Sequence, residues 1–349
     1  MGRYRELEVT GDPHSMGRQI GEALGEEIRA FHAIARSLIR KTIRISDAAI
    51  DRVVQQSVAC AELYAPWQVD ELRGMAAGAK LTLADIMLLQ VRNQMQPDRE
   101  AGCTSFAIAA GGEHGGLVAQ NWDNDPSLDP FTVVLTRRPV GQPAFLTVTQ
   151  AGLISYIGFN ERGLGLCLNT LPAPARTTGV PHYFTVRSIF AASSLDEAVG
   201  EVRRAERAIP ANIMMITPEG PADLEVTIDD VHVLRDQGLG RVTHTNHCQH
   251  PELCGINEKF PELIQSHDRQ RRIDELLDSC GRTVDVSQVQ AILRDHDAHP
   301  RSICRHANND PQTGFWETVF SVVMEPTAGR MYLTRGTPCC CDYELYELK

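Results

Sequence analysis

The sequence predicts an α+β fold, and three observations carry that expectation. Hydrophobic residues make up 42% and charged residues 23% of the 349 positions, enough apolar material to offset chain entropy in a packed core. Helical spacing of apolar residues dominates the first hundred positions, whereas short apolar or alternating runs, punctuated by Gly, Pro and Asn, follow Gly102. Elements of one kind gathered in runs indicate separate helix and sheet layers rather than alternating βαβ units. With no internal repeat, low-complexity tract or linker, residues 1–349 read as one unit.

Each element has a local reason. Ile20, Leu24, Ile28, Phe31, Ile34 and Leu38 recur at helical spacing, predicting a helix over Ser15–Thr42 with Pro13 just ahead of it. A second helix is expected from Asp47 to about Leu63, before Pro66. A third covers Val69–Ala77, with Gly78 as its stop. Thr82-Leu83-Ala84-Asp85 resembles a capping box for a fourth, reaching about Arg92. Strands are expected at Thr104–Ala110, Leu117–Trp122, Phe131–Arg137, Ala144–Thr149, Leu153–Phe159 and Leu164–Leu168. Helices follow at Phe184–Ala192 and after Ser194, where Glu197 completes a capping box. Strands return at Ile213–Thr217, Asp223–Ile228 and His232–Arg235. Helices over Glu262–Cys280 and Val286–Arg294 precede a hairpin of Val319–Met324 and Arg330–Thr334.

Charge and termini narrow the function classes. Thirty-four basic against 45 acidic residues give a net charge of −11, which argues against a nucleic-acid partner or an anionic membrane surface. Met1–Glu8 lacks the apolar stretch of a secretory signal, and no run approaches the roughly 18 apolar residues of a membrane span. The expected compartment is the cytoplasm, where the ten cysteines are structural, metal-bound or catalytic rather than paired as disulfides.

The cysteine set apart is Cys103, in Ala101-Gly102-Cys103-Thr104-Ser105-Phe106, where a helical segment gives way to a strand. Gly102 leaves its carbonyl open to close approach by the adjacent thiol. An N→S acyl shift there, followed by hydrolysis, would leave a chain beginning at Cys103. The α-amine of that chain, with a reference pKa of about 7.7–8.0, can serve as base for its own thiol. The ordinary alternative is a small buried cysteine at a strand start.

Gly102-Cys103-Thr104-Ser105 and Gln120-Asn121-Trp122-Asp123 resemble segments of the isopenicillin N acyltransferase family, self-cleaving N-terminal-nucleophile (Ntn) hydrolases. Similar segments run through the chain: Gly11–Gly21, Gly158–Leu164 with Leu168-Asn169-Thr170, Thr245-Asn246-His247, Ser266-His267-Asp268-Arg269 and Gly336–Cys339. The resemblance implies a four-layer αββα sandwich, cut into an alpha chain (1–102) and a beta chain (103–349). It implies Cys103 as nucleophile, Asn246 as amide donor to the oxyanion, and Asp123 as an acid that orients the amine or assists cleavage. Gly102, Cys103 and Thr104 then form the cleavage site, with Ser105 and Asn121 in support. Some members carry a Ser-Arg pair before the late strand, where this chain reads Gly314-Phe315-Trp316-Glu317-Thr318.

The expected reaction is attack on an acyl carbonyl to give an acyl-Cys103 thioester. Hydrolysis of a small N-acyl or peptide amide is the first reading, and acyl-CoA-dependent transfer to an amine the second. No cofactor or metal ligand is assigned, and acyl-CoA enters only as a possible co-substrate. A zinc hydrolase is the competing class, from His244, His247, Cys248, His250 and Cys254, with His296, His299, Cys304 and His306 as a conceivable second half. Cys339-Cys340-Cys341 is set aside because neighbours on a strand point to opposite faces. A binding protein that had lost the nucleophile is disfavoured by the presence of Cys103.

Overall fold

Two sheets lie face to face with helices on both outer sides in the computed structural model, which describes residues 2–40, 43–95, 102–111, 115–260, 262–281, 283–310 and 314–349. Thr42, the expected end of the first helix, and Ala101, at the head of the Gly-Cys segment, lie outside the described residues. In chain order the strands of the first sheet are β1 (Arg5–Gly11), β4 (Thr132–Pro139), β5 (Phe145–Gln150), β6 (Ile157–Asn160), β7 (Gly165–Asn169), β8 (Ala211–Thr217), β9 (Gly220–Val226) and β10 (Val231–Arg235). They are hydrogen-bonded in that same order; β1 runs parallel to β4 and every other pair is antiparallel. The second sheet is antiparallel throughout, in the order β11 (Arg241–His244), β2 (Cys103–Ile108), β3 (Leu117–Asn124), β12 (Glu317–Glu325), β13 (Arg330–Leu333), β14 (Glu344–Glu347).

The outer faces are covered by the expected helical blocks. On the first sheet lie α1 (Pro13–Ala23), α2 (Gly25–Arg40), α3 (Asp47–Tyr64), α4 (Pro66–Ala79), α5 (Leu83–Val91), α6 (His182–Ile189) and α7 (Leu195–Arg203). On the second lie α8 (Ser266–Cys280) and α9 (Val286–Leu293), whose Ile273, Leu277, Val289 and Ile292 pack on Phe106, Ile108, Leu117 and Val323. This is the αββα sandwich. No single described helix is long and apolar enough to cross a membrane.

Several expectations need correction. The first helix is two, α1 and α2, broken at Leu24, whose φ of −111° and ψ of 20° leave the helical range. Ile20, Leu24 and Ile28 stay fully buried across the break, so the periodicity gives no warning of it. Gly78 lies inside α4, and the left-handed residue that ends the helix is Lys80 (φ 58°). The glycines serve contact instead: a Cβ on Gly17 would sit 1.9 Å from the Glu71 carbonyl oxygen, and one on Gly74 2.0 Å from that of His14. Gly17, Gly21, Gly74 and Gly78 thus let the backbones of α1 and α4 touch. Of the expected Leu153–Phe159 strand only residues 157–159 are extended, as part of β6. Strands β1, β11 and β14 lie outside the expectations. β11 and β14 have four residues each and are completed by their neighbours, whereas β1 has seven and carries Leu7 and Val9 in alternation with charged residues. The capping box at Thr82 is present, with Asp85 reaching back to the Thr82 amide.

Candidate active site around Cys103

Strand alternation divides the Gly102–Ser105 segment between the two faces of its sheet. Cys103 pairs with Trp122, Thr104 with Asn121 and Ser105 with Gln120. Ser105 points toward the first sheet, its hydroxyl accepting from Asn169 at 2.7 Å. Thr104 points to the helix side, accepting from Arg269 of α8 at 3.0 Å. Cys103 is on the inner face, buried, beside Trp122, Tyr156 and Cys167.

The backbone around the Gly102–Cys103 peptide is held at three atoms. The Gly102 carbonyl accepts the Asp123 N–H at 2.9 Å, the Cys103 N–H donates to Asn246 Oδ1 at 2.9 Å, and the Cys103 carbonyl accepts from Arg269 Nη1. Burial, reinforced by Asp123, pushes the Cys103 thiol upward, while Arg269 and the Asp123 and Thr170 amides favour its thiolate. A Cβ on Gly102 would crowd the Ile264 side chain, 2.8 Å from its Cδ1 and 3.1 Å from its Cβ. Ile264 is pressed in by an unusual turn, with φ at 46° for Ile264 and 50° for Gln265. Such backbone costs about 1–3 kcal/mol per residue and persists where surrounding contacts dictate it. Here the carbonyls of Leu263 and Ile264 accept from the Arg269 guanidinium.

The segment after β11 supplies Asn246. Its backbone N–H donates to the Ser266 hydroxyl at 2.7 Å. Its Oδ1 receives both the Cys103 N–H and Arg269 Nη2 (2.7 Å), while Nδ2 donates to the Thr170 carbonyl at 2.8 Å. These partners fix the amide with its oxygen toward the Cys103 nitrogen. Asp123 is fully buried; Thr318 donates to its Oδ1 at 2.7 Å, and Oδ2 has no hydrogen-bond partner among the described residues. Burial raises its carboxyl to about 6, against the opposing pull of Arg269, Thr318 and Arg305. Asn121 is not brought to the thiol: it donates to the Leu293 and Ile303 carbonyls on the helix side.

The family model for acyl-coenzyme A:6-aminopenicillanic acid acyl-transferase matches residues 110–339. The chain belongs to this family. A curated relative, the 40 kDa form of acyl-coenzyme A:6-aminopenicillanic-acid acyltransferase from Emericella nidulans, is 26% identical over 339 residues, 95% of this chain and 93% of the relative. Among solved structures, penicillin V acylase from Agrobacterium tumefaciens aligns over 70% of this chain and 86% of its own, at 10% identity and a TM-score of 0.48. A conjugated bile acid hydrolase from Clostridium perfringens aligns over 71% and 97%, at 13% identity and a TM-score of 0.46. As a member of the acyltransferase family, the chain is an enzyme of acyl-group chemistry.

Arg269 of this acyltransferase-family chain stands in the similar segment Ser266–Arg269, and its sequence context assigns it no role. It is fully buried and touches Cys103, Thr104 and Asn246 at once. Its signal is spacing: Arg269, Ile273 and Leu277 fall every fourth residue on the buried face of α8, a stripe where an arginine is out of place. The second basic group is Arg305, whose backbone N–H donates to Thr318 Oγ1 at 2.9 Å. The segment 314–318 carries no arginine, but its Thr318 meets Asp123 and its Trp316 carbonyl accepts from Arg305 Nε.

The histidines and cysteines of 244–254 do not converge. His244 Nε2 contacts Glu225 Oε1 at 2.9 Å, His247 Nδ1 contacts Ser266 Oγ at 2.8 Å, and His250 packs on His232. His244 instead ends a buried polar network between the sheets. Ser105 accepts from Asn169, Asn169 donates to Asn212, and Asn212 donates to Asp223, 4.0 Å from His244. Burial lifts the Asp223 carboxyl to about 7.

Proposed function

We propose that the chain is a self-processing cysteine Ntn enzyme that takes up an acyl group on Cys103 and releases it to water. The observation that carries this reading is the hold on both polar atoms of the Gly102–Cys103 peptide, the Gly102 carbonyl by the Asp123 N–H and the Cys103 N–H by Asn246, with Arg269 on the adjoining Cys103 carbonyl. In the cleavage step Cys103 Sγ attacks the Gly102 carbonyl carbon, and the Asp123 N–H supports the developing oxyanion. The thiol proton goes to the Asp123 carboxylate. The C–N bond then breaks, that proton passes to the leaving nitrogen, and water hydrolyses the thioester to a Gly102 carboxylate and free Cys103.

In the mature enzyme the new amine stays against Asn246 Oδ1 and accepts the thiol proton in each turnover. Asn246 has a second amide hydrogen without an acceptor among the described residues, and this is the donor assigned to the substrate oxyanion. Thr104 serves by holding Arg269. Residues 1–102 remain bound after the cut, because β1 is hydrogen-bonded to β4 and Glu71 is paired with Arg137 at 2.9 Å.

The substrate class proposed is a small N-acyl or peptide amide. Transfer from acyl-CoA to an amine is the second reading, favoured by the full-length likeness to an acyl-coenzyme A acyltransferase. Denaturing mass spectrometry is expected to show fragments 1–102 and 103–349. Cys103→Ala is expected to remain full length with activity lower by on the order of 10⁴-fold or more, and Cys103→Ser to cleave slowly. An uncut chain with normal turnover overturns the reading. Incubation with N-acyl amides, and separately with an acyl-CoA and a panel of amines, distinguishes free acid from new amide.

A further inference from the structure

Nine of the ten cysteines have no part in this chemistry, and two of them meet histidines at one end of the second sheet. Cys304 and His306 lie between α9 and β12, His296 lies just beyond α9, and Cys339 lies in the turn after β13. His306 Nε2 is 3.7 Å from Cys304 Sγ and 3.2 Å from Cys339 Sγ, and the two thiols contact each other. Donor atoms of His296, His306 and Cys339 all lie within 4.8 Å of one another. Tetrahedral zinc, with bonds of about 2.3 Å to sulfur and 2.0–2.1 Å to nitrogen, requires N···S separations of about 3.6 Å. The two observed separations bracket that value.

Cys339-Cys340-Cys341 is not on a strand, so its side chains are not divided between two sheet faces. The segment is a turn, in which the Cys340 and Cys341 amides both reach the Thr337 carbonyl at 3.1 Å. The three ligand-bearing segments are also fixed to one another by other bonds. The Cys304 N–H donates to the Asp295 carbonyl at 2.7 Å, and Arg294 Nε donates to the Pro338 carbonyl at 2.8 Å. The fold itself therefore gathers the donor atoms of His296, His306 and Cys339, with Cys304 Sγ alongside at 3.7 Å from His306 Nε2.

We propose that Cys304, His306 and Cys339, closed by His296, bind one zinc ion at a structural site separate from Cys103. Two thiolates and two neutral imidazoles balance the charge of Zn²⁺, and binding sends the two thiol protons to solvent. Sulfur and imidazole donors suit zinc, whereas magnesium and calcium take oxygen ligands. Such an ion would clamp the 294–306 segment to the turn at Cys339. It would thereby hold Arg305, next in sequence to Cys304, against Thr318 and hence Asp123, a positioning effect rather than a catalytic one.

The test uses the full chain, purified under reducing conditions, given zinc and then dialysed. Elemental analysis is expected to find one zinc per chain, falling at least tenfold in Cys339→Ser and in His306→Ala. Circular dichroism establishes that the variants are folded. Cobalt substituted for zinc is expected to give the thiolate charge-transfer and tetrahedral d–d bands, weakened in Cys339→Ser. Cys103→Ala retains the ion, so the site stands or falls independently of the proposed nucleophile. Absence of bound zinc, full zinc content in both ligand variants, or a Cys304–Cys339 or Cys339–Cys340 disulfide in the reduced protein would overturn the proposal.

Discussion

Glu71 and Asp123 are both fully buried carboxylates with two buried arginines nearby, yet the two surroundings are built for opposite ends. Glu71 of α4 takes Arg137 of β4 at 2.9 Å and Arg187 of α6 at 3.7 Å, and Arg187 lies over Trp67 and Phe145. Opposite charges there sit in direct contact and join the helix layer to the first sheet. Asp123 instead takes a neutral hydroxyl from Thr318 and feels Arg269 and Arg305 only through space. Arg269 directs its donors to the backbone of Cys103, Leu263 and Ile264, to Thr104 and to Asn246. Glu71 Oε2 and Asp123 Oδ2 both lack a hydrogen bond among the described residues, but Glu71 Oε2 lies 3.7 Å from Arg187 Nε, whereas Asp123 has no ion pair among them. The difference teaches that direct charge neutralisation holds the fold in the first cluster, whereas in the second the carboxylate is left without a contacting cation.

Separating the two roles takes matched substitutions. Glu71→Ala strands two buried guanidinium groups and is expected to cost about 3–5 kcal/mol of stability, read from the urea midpoint, while the molecules that fold still cut themselves. Arg269→Gln is expected to slow cleavage by roughly 10²–10³-fold, because the Cys103 carbonyl and Asn246 Oδ1 lose their charged donor. If Arg269→Gln lowered stability as Glu71→Ala does and left the cleavage rate of folded protein unchanged, the contrast would fail.

The pH dependence sharpens the second cluster. With the Asp123 carboxyl near 6, the cleavage rate is expected to rise with pH and level off above that value, running roughly tenfold lower at pH 5. Asp123→Asn should remove this rise in single-turnover cleavage assays. For stability the sign is opposite. A carboxyl held above its ordinary 3.8 favours the fold when protonated, so that contribution is full below 3.8 and is lost as pH rises through about 6. The smallest effect lies in the helix layer: Gly200 of α7 has open space where a Cβ would be, and Gly200→Ala is expected to add about 0.5–1 kcal/mol in thermal melts with no change in cleavage.

Legibility in the sequence followed the range of the forces involved. Cys103 stood out because its signal is local, a Gly-Cys pair where a helical segment gives way to a strand. The Thr82 capping box was readable for the same reason, since donor and acceptor lie three residues apart. Arg269 is hard to read in the sequence because an arginine on a helix ordinarily faces water, and only the four-residue spacing to Ile273 and Leu277 hints otherwise. Gly78 in sequence suggests the commonest use of glycine near a helix end, while its actual use is contact with α1, whose position depends on the whole layer. The turn that brings Cys339 to His306 has no local signal in the sequence, because it arises from contacts made over more than thirty residues.

By itself the sequence determined the layered α+β plan, because apolar periodicity is a property of neighbouring residues. It also determined the nucleophile candidate, because the Gly102 carbonyl and the Cys103 thiol are covalent neighbours. Only the tertiary structure decided which groups surround that peptide. Asp123, Asn246 and Arg269 come from a strand, a loop and a helix up to 166 residues from Cys103. Their distances, burial and shifted protonation depend on how the layers close, and composition carries no information about that closure.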